Sequence, residues 1–233
     1  MNTHIKINRN ALKSILRQRV DFLRPDFETF LWLRTDGRAS MDRNRLGGGN
    51  LLILLGEFAI LNLIAKTYKV LRTGASLLRS DSDDALEALR TCQIEYPALR
   101  AIRVSNWEVS ERNAFIGLAR DYPLDFGLGQ DREHIGRAWD RIRNKLSHMA
   151  TLEKDTVAVA LSFSEDITYK DAKDAIRVRT QPSFEHRGET LLCYVDLLND
   201  DLERITDWIC HDVEAGRFDP NLEDALMFLE EEG

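Results

Sequence analysis

Apolar residues recur at helical spacing along most of this chain, and the pattern predicts a mainly α-helical protein. A first stripe predicts a helix over 8–23, which we expect to end at Arg24-Pro25 because proline disrupts a continuing helix. A short helix over 26–34 should follow it. The residues over 50–72 are apolar nearly all round, which is typical of a helix at the centre of a bundle. Similar stripes predict helices over 82–103, 106–121, 131–149, 183–215 and 221–230.

One part of the chain alternates with period two instead. Apolar residues occupy every second position within 156–163, and the alternation returns near 176–178, which predicts two short strands. A helix over 152–163 is the alternative. The fold class is therefore mainly α: a helical bundle with a small two-stranded β insertion near 156–179. The alternating residues are Val157, Val159, Leu161, Phe163, Ile176 and Val178.

The polar stretch over 35–50 predicts a loop that separates the first helices from the rest of the chain. Its Gly47-Gly48-Gly49 run does not read as a phosphate-binding loop, because no strand precedes it and no Lys-Ser/Thr pair follows it. Asn50 is expected to cap the next helix, and Gly74 to end that helix. We therefore divide the chain into an N-terminal helical segment and loop over 1–46 and a helical bundle over 47–233, which together form one compact domain.

Composition narrows the classes of function. The 233 residues are 43% hydrophobic and 30% charged, so a full core can form without disulfides or metals. The net charge of −7 excludes a protein that coats long stretches of phosphate, so any contact with nucleic acid must be local. Three cysteines without a CxxC pair indicate reduced thiols and a cytoplasmic protein. The apolar run 51–65 is shorter than the ~20 residues that span a bilayer, so no membrane contact is expected.

The predicted helix over 131–149 has two different sides. Six apolar residues form a narrow stripe that should face the core: Ile135, Ala138, Trp139, Ile142, Leu146 and Met149. A basic strip lies opposite or beside it, and its members are His134, Arg137, Arg141, Asn144, Lys145 and His148. Arginine matches the geometry of phosphate, and a cationic imidazole is favoured at a helix C-terminus. The alternative for such a strip is a solvated helix face.

The segment Arg143-Asn144-Lys145-Leu146-Ser147-His148 resembles the Arg-x4-6-His motif of HEPN domains. Asn144 matches the subtype in which a polar residue follows the arginine, and the resemblance covers about residues 50–215. It implies an α-helical bundle, often dimeric, and a metal-independent endoribonuclease that needs no cofactor. It also implies that Arg143, Asn144 and His148 are the catalytic residues. The substrate-binding residues would be Arg137, Arg141, Lys145 and His134.

The chemistry of that family is physically reasonable for these residues. RNA cleavage without a metal uses the 2′-hydroxyl of the substrate as nucleophile, and His148 can transfer its proton as general base or acid. Arg143 can hold the phosphate and stabilise the charge of the transition state. Asn144 can orient the phosphate or the histidine. By resemblance, the product carries a 2′,3′-cyclic phosphate.

The spacing of the motif sets a geometric constraint. Arg143 and His148 are five positions apart, so an ideal helix separates them by ~140°, whereas Asn144 and His148 share a face. Either Arg143 reaches round the helix, or the helix loosens near His148, or two chains share the site. HEPN domains pair two motifs across a dimer, so we predict a symmetric homodimer with the helices over 131–149 close to the twofold axis.

Two further residues bear on the site and its control. Glu57 lies in the most apolar helix and needs a partner if it is buried. Arg141 or Arg143 would serve, which gives Glu57 a supporting role; a polar residue at a helix edge is the alternative. A subset of HEPN toxins has a Tyr two residues after the His that a partner antitoxin nucleotidylates. Ala150 stands there, so that control is not expected, although an antitoxin or another regulatory protein remains a candidate partner.

Three functions follow from these observations. The first is a HEPN-type ribonuclease that acts on RNA as a toxin or in defence or stress response. The second is a non-catalytic HEPN-like module for dimerisation or nucleic-acid binding, which the acidic net charge favours. The third is an unrelated helical protein in which the motif over 143–148 is a coincidence.

Overall fold

The computed structural model describes residues 3–37, 49–74, 110–122, 126–147, 157–163, 167–179 and 181–232. Within these ranges the protein is mainly α-helical and contains a small three-stranded sheet. The helices are α1 (Thr3–Arg34), α2 (Gly49–Thr73), α3 (Glu111–Asp121), α4 (Arg132–Ser147), α5 (Tyr169–Arg177), α6 (Val195–Glu214) and α7 (Leu222–Glu232). The strands are β1 (Val157–Ala160), β2 (Phe184–Arg187) and β3 (Thr190–Tyr194).

Helix α1 is a single helix of 32 residues with Pro25 inside it, so the expected helix end at Arg24-Pro25 is wrong. A proline inside a helix costs about 3 kcal/mol because one backbone hydrogen bond is lost. Burial outweighs that cost here. Phe27, Phe30 and Leu31 follow the proline, and all three are buried against the bundle. Since each such side chain contributes roughly 1.5–3 kcal/mol, the core holds the second half of α1 in line with the first.

Helix α2 is the central helix, as the sequence predicts. It packs against α1, α3, α6, α7 and β1. It begins at Gly49 and ends at Thr73, so Asn50 lies inside the helix and the expectation that it caps the N-terminus is wrong. Gly74 then adopts a left-handed conformation with φ of 73°, and its N–H donates to the carbonyl of Val70 at 2.7 Å. The predicted helix over 82–103, most of the loop over 35–50 and the proposed boundary near residue 46 lie outside the described residues.

The sheet differs from the predicted pair of strands. Strand β1 confirms the first predicted strand, but the second is wrong, because Ile176 lies in helix α5. Thr168 caps this helix by accepting a hydrogen bond from the N–H of Asp171. Ala172 and Ile176 are four residues apart and both are buried, whereas Val178 is exposed. Ile176 thus belongs to the buried side of a helix, and Val178 is the exposed residue that follows the helix, so the two do not share one face of a strand.

Strands β2 and β3 lie where the sequence pattern predicted the first third of the helix over 183–215. They form an antiparallel hairpin, and β1 pairs in parallel with β3, which gives the order β1-β3-β2. A two-residue turn of Gly188 and Glu189 joins the hairpin, and Gly188 has φ of 62°. A glycine first in a two-residue turn is a strand-pairing signal that helical periodicity conceals. The last long helix therefore begins only at Val195.

The remaining helices occur near their predicted positions, although α3 begins at Glu111, five residues after its predicted start. Helix α3 begins after Ser110, whose hydroxyl accepts a hydrogen bond from the N–H of Asn113. Helices α4 and α7 begin within one residue of their predicted starts. Within the described ranges, no helix combines the length and the apolar character needed to cross a membrane.

Candidate functional site

The core side of helix α4 is anchored by Trp139. Its indole stacks on Phe58 of α2, with ring centroids 4.4 Å apart, and lies 4.9 Å from the ring of Phe115 in α3. Ile135, Ala138, Trp139 and Ile142 are all buried, which confirms this part of the predicted core stripe. The side chain of Leu146 and the whole of Met149 lie outside the described residues. The packing fixes the rotation of α4, and therefore which side chains face outward.

The outward side of α4 presents a row of basic residues at helical spacing. His134 and Arg141 are half-buried, whereas Arg137 is exposed. Arg137 lies near Glu133, with 3.9 Å between Nη1 and Oε1. Nη1 of Arg141 donates to the backbone carbonyl of Glu189 at 3.2 Å, so this arginine reaches the turn of the β2–β3 hairpin. The predicted strip therefore exists over these three residues, and Arg141 connects it to the hairpin.

A contact between two histidines joins α4 to the edge strand. Nε2 of His134 lies 2.8 Å from Nε2 of His186 in β2, and the rings meet edge to face with centroids 4.5 Å apart. At this distance one nitrogen donates and the other accepts, so the contact holds a single proton. Partial burial, His134 and Arg141 together lower the pKa of His186 below its ordinary value, because each disfavours a further positive charge. His186 was not among the predicted site residues.

Arg143 lies on a different side of α4 from that row. Its side chain is exposed, and Nε is 3.7 Å from Oε2 of Glu111 in α3. Helix α4 continues to Ser147, so it does not loosen before that residue. Because residues two positions apart point to different sides of a helix, Arg143 stays on a different side of α4 from Arg141. The side chains of Asn144 and Lys145, and all of His148, lie outside the described residues.

Glu57 is buried in α2, at 1% relative exposure. Neither carboxylate oxygen has a hydrogen-bond partner among the described residues. Burial raises its pKa well above the ordinary value, and the nearby carboxyl of Asp196 raises it further. The predicted partners contact other groups: Arg141 the carbonyl of Glu189, and Arg143 the carboxylate of Glu111. The expected ion pair is therefore absent from the described contacts, and burial without a partner disfavours a charge on Glu57.

A second buried carboxyl group, that of Asp196, lies near Glu57. It lies in the first turn of α6 and accepts hydrogen bonds from the N–H of Ser162, at 2.9 Å, and from the hydroxyl of Ser162. Glu57 and Asp196 also raise the pKa of the buried Cys193 thiol, after burial itself. Despite these groups, the described residues contain no set of three or more His, Cys, Asp or Glu side chains arranged to hold a metal ion.

Comparison with known proteins adds no relative. No family model matches the chain, and neither does any curated protein or any solved structure.

Sequence reasoning missed His186 and Glu111 for different reasons. His186 could have been found from the Gly188-Glu189 turn, because a hairpin there makes Phe-Glu-His-Arg an alternating strand. Its contact with His134, however, joins residues 52 positions apart. Glu111 is an ordinary charged residue in the first turn of a helix, and no motif distinguishes it.

Proposed function

We propose that the protein is a metal-independent endoribonuclease of HEPN type, which cleaves RNA by attack of the 2′-hydroxyl. The observation that carries the proposal is the basic row of His134, Arg137 and Arg141 on one side of α4, in front of the Arg143–His148 motif. A phosphate backbone lying along this row would meet cations at successive helical turns. The net charge of −7 suits such a local contact rather than a broad basic surface.

The contact of Arg143 with Glu111 is compatible with a role in binding phosphate. Exposed ion pairs of this kind contribute only about 0–1 kcal/mol, and this one is long, at 3.7 Å. A phosphodiester can replace Glu111, because arginine binds its oxygens in a bidentate geometry. Glu111 then keeps the guanidinium in place when no RNA is bound. His148 transfers the proton of the 2′-hydroxyl, and Asn144 orients the phosphate.

The assembly proposed with this activity is a homodimer in the cytoplasm, which acts in defence or stress response or as a toxin. Arg143 and the basic row lie on different sides of one helix. In a dimer, Arg143 of one chain can lie beside the basic row of the other, so the two chains together can form the site. Sedimentation at micromolar concentration should show a dimer. A monomer would contradict the shared site. An antitoxin or other regulatory protein would bind over the same helix.

Cleavage of a labelled, structured RNA in EDTA tests the activity directly. Wild-type protein should produce fragments that end in 2′,3′-cyclic phosphate. His148→Ala should reduce the rate by about 100-fold or more, because a general acid–base group is lost. Arg143→Ala should reduce it by about 100-fold, because the transition state loses a charged donor.

Arg120→Ala is the matched control, since Arg120 is an exposed arginine at the other end of α3 from Glu111. It should keep the wild-type rate. Equal cleavage by all four proteins would indicate a contaminating nuclease and contradict the proposal. RNA binding without cleavage would instead identify the non-catalytic module, which the acidic net charge favours.

A further inference from the structure

We propose that His134, His186 and Arg141 form a binding site for a tetrahedral oxyanion of the phosphate type, which opens when the two imidazoles are both protonated. As a subsite for an RNA phosphate it rests on the proposed function, but the binding itself does not require cleavage. The carrying observation is the 2.8 Å contact between the two Nε2 atoms, with Arg141 two turns further along α4.

The direct hydrogen bond between the two Nε2 atoms requires that one of them carries a proton and the other does not. With one shared proton, one Nε2 donates to the other and α4 is joined to β2. With two protons both nitrogens are donors, so the direct hydrogen bond is lost and two cations face each other. An anion between them restores the balance, because both N–H groups can donate to one oxyanion. Two ~2.8 Å hydrogen bonds to a shared acceptor place the nitrogens about 4.5 Å apart, so the rings need to separate by roughly 2 Å.

The hairpin is built to allow that separation. Strand β2 is the edge of the sheet and pairs only with β3 among the described strands. Its turn is held to α4 by the Arg141 hydrogen bond to the Glu189 carbonyl, which a phosphate oxygen can replace. Both histidines are half-exposed, so an anion can reach them from solvent.

The surrounding charges favour an anion at this place. On α4, Arg137 and Arg141 follow His134 along the same side. Glu133 is drawn toward Arg137, and Asp131 accepts the backbone N–H of His134 at 2.7 Å. On β2, side chains alternate between faces, so Glu185 and Arg187 lie on the face opposite His186.

Glu185 and Arg187 also neutralise each other. Their two hydrogen bonds measure 3.0 and 3.1 Å, and Tyr194 donates to the same carboxylate at 2.7 Å. The side chain of Glu189 is exposed in the turn. The groups that share the side of the two imidazoles are therefore mainly cationic, and His134 and Arg141 add to burial in lowering the pKa of His186.

The site would bind a phosphate of the RNA at a distance from the bond that is cleaved. His134 and Arg143 are nine residues apart, which is about 14 Å along the helix axis. A phosphate held by the histidine pair is therefore more than one nucleotide from a phosphate at Arg143. Because Arg143 lies on a different side of α4 from the histidine pair, the subsite would select single-stranded RNA that is flexible enough to pass round the helix or to reach Arg143 of a second copy of the chain.

The test uses the histidine ring resonances of the full-length protein in NMR titrations near pH 5.5 and pH 7.5. The probes are sulfate and a six-nucleotide DNA strand, whose charges do not change in this range and which a 2′-hydroxyl mechanism cannot cleave. Both probes should shift the His134 and His186 resonances, and the affinity should be about tenfold higher near pH 5.5, because an anion binds best when both Nε2 atoms carry a proton and lower pH favours that state. A stronger effect of the DNA strand identifies a nucleic-acid backbone as the source; equal effects identify a free oxyanion.

Three variants complete the test. His186→Gln should weaken binding at low pH by about tenfold, and Arg141→Gln, which leaves the histidine pair in place, should also weaken it. His211→Gln is the control, because His211 is exposed on α6, beside Asp212. Unshifted resonances, or equal affinity in His186→Gln and wild type, would overturn the proposal.

The two proposals fail separately. DNA binding that depends on His186, in a protein that never cleaves RNA, would retain this site and reject the ribonuclease. Cleavage that is lost in His148→Ala but has the same substrate affinity in His186→Gln would do the reverse.

Discussion

Replacement of Trp139 by alanine is expected to lower the free energy of unfolding by about 3–5 kcal/mol. The indole is 1% exposed and lies between the rings of Phe58 and Phe115. Its loss leaves a cavity where α2, α3 and α4 meet, which the surrounding rings cannot fill. Since small domains are stable by only about 5–15 kcal/mol, this change removes a large part of the total.

Urea unfolding followed by circular dichroism measures the effect, and two variants control it. Trp32 is 46% exposed, so Trp32→Ala should change the free energy of unfolding by less than about 1 kcal/mol. Trp139→Phe should be milder than Trp139→Ala, because it keeps an aromatic ring and removes an indole N–H that has no hydrogen-bond partner among the described residues. Equal stability of Trp139→Ala and wild type would show that α4 is not anchored through this ring.

Glu57→Gln is expected to stabilise the protein increasingly as the pH rises. The pKa of Glu57 is raised in the folded state, by burial and by Asp196, whereas in the unfolded chain it is ordinary, at about 4.3. Below that value the acid is protonated in both states and has no effect on stability. Above it only the unfolded chain releases the proton, so wild type loses stability by at most about 1.4 kcal/mol per pH unit until the folded pKa is reached. Glutamine has the same shape and never ionises, so the variant avoids this loss.

The measurement is the difference in free energy of unfolding between Glu57→Gln and wild type, from about pH 4 to pH 8. Near pH 4 this difference should be small, because it then reflects only the exchange of a protonated carboxyl group for the glutamine amide, and it should grow as the pH rises. Glu230→Gln is the control, because Glu230 is exposed in α7, and its difference should stay flat. A flat difference for Glu57→Gln would mean that the carboxylate has a charged partner in the folded protein, which would revive the pairing with arginine.

The burial of Glu57 also bears on the proposed site. It is adjacent to Phe58, whose ring supports Trp139 and hence α4. A charge on Glu57 would draw water or a cation into the junction of α2 with α6, because a buried charge needs a partner. We therefore expect Glu57 to affect the proposed site through the packing of α2, not by contact with substrate.

Helix α2 could be predicted from the sequence because its apolar run is long, and helix α4 because its apolar residues keep the helical period for four turns. The same logic predicted the basic row of His134, Arg137 and Arg141, since positions three and four apart share a helix side. Periodicity did not predict the shorter elements correctly. Ile176 and Val178 looked like a strand, and the hairpin at 184–194 was absorbed into the following helix, because four or five residues do not separate the two periods.

The sequence by itself determined the helical class, the central place of α2 and the two sides of α4, because each depends on residues close together in the chain. The tertiary structure decided whether α1 continues past Pro25, where Glu57 lies relative to the arginines, and that His134 meets His186. Each of those outcomes is a balance between a local preference and burial against distant elements. The contact of His134 with His186 spans 52 positions, and no local pattern encodes a distance between a helix and a strand that fold together only through the core.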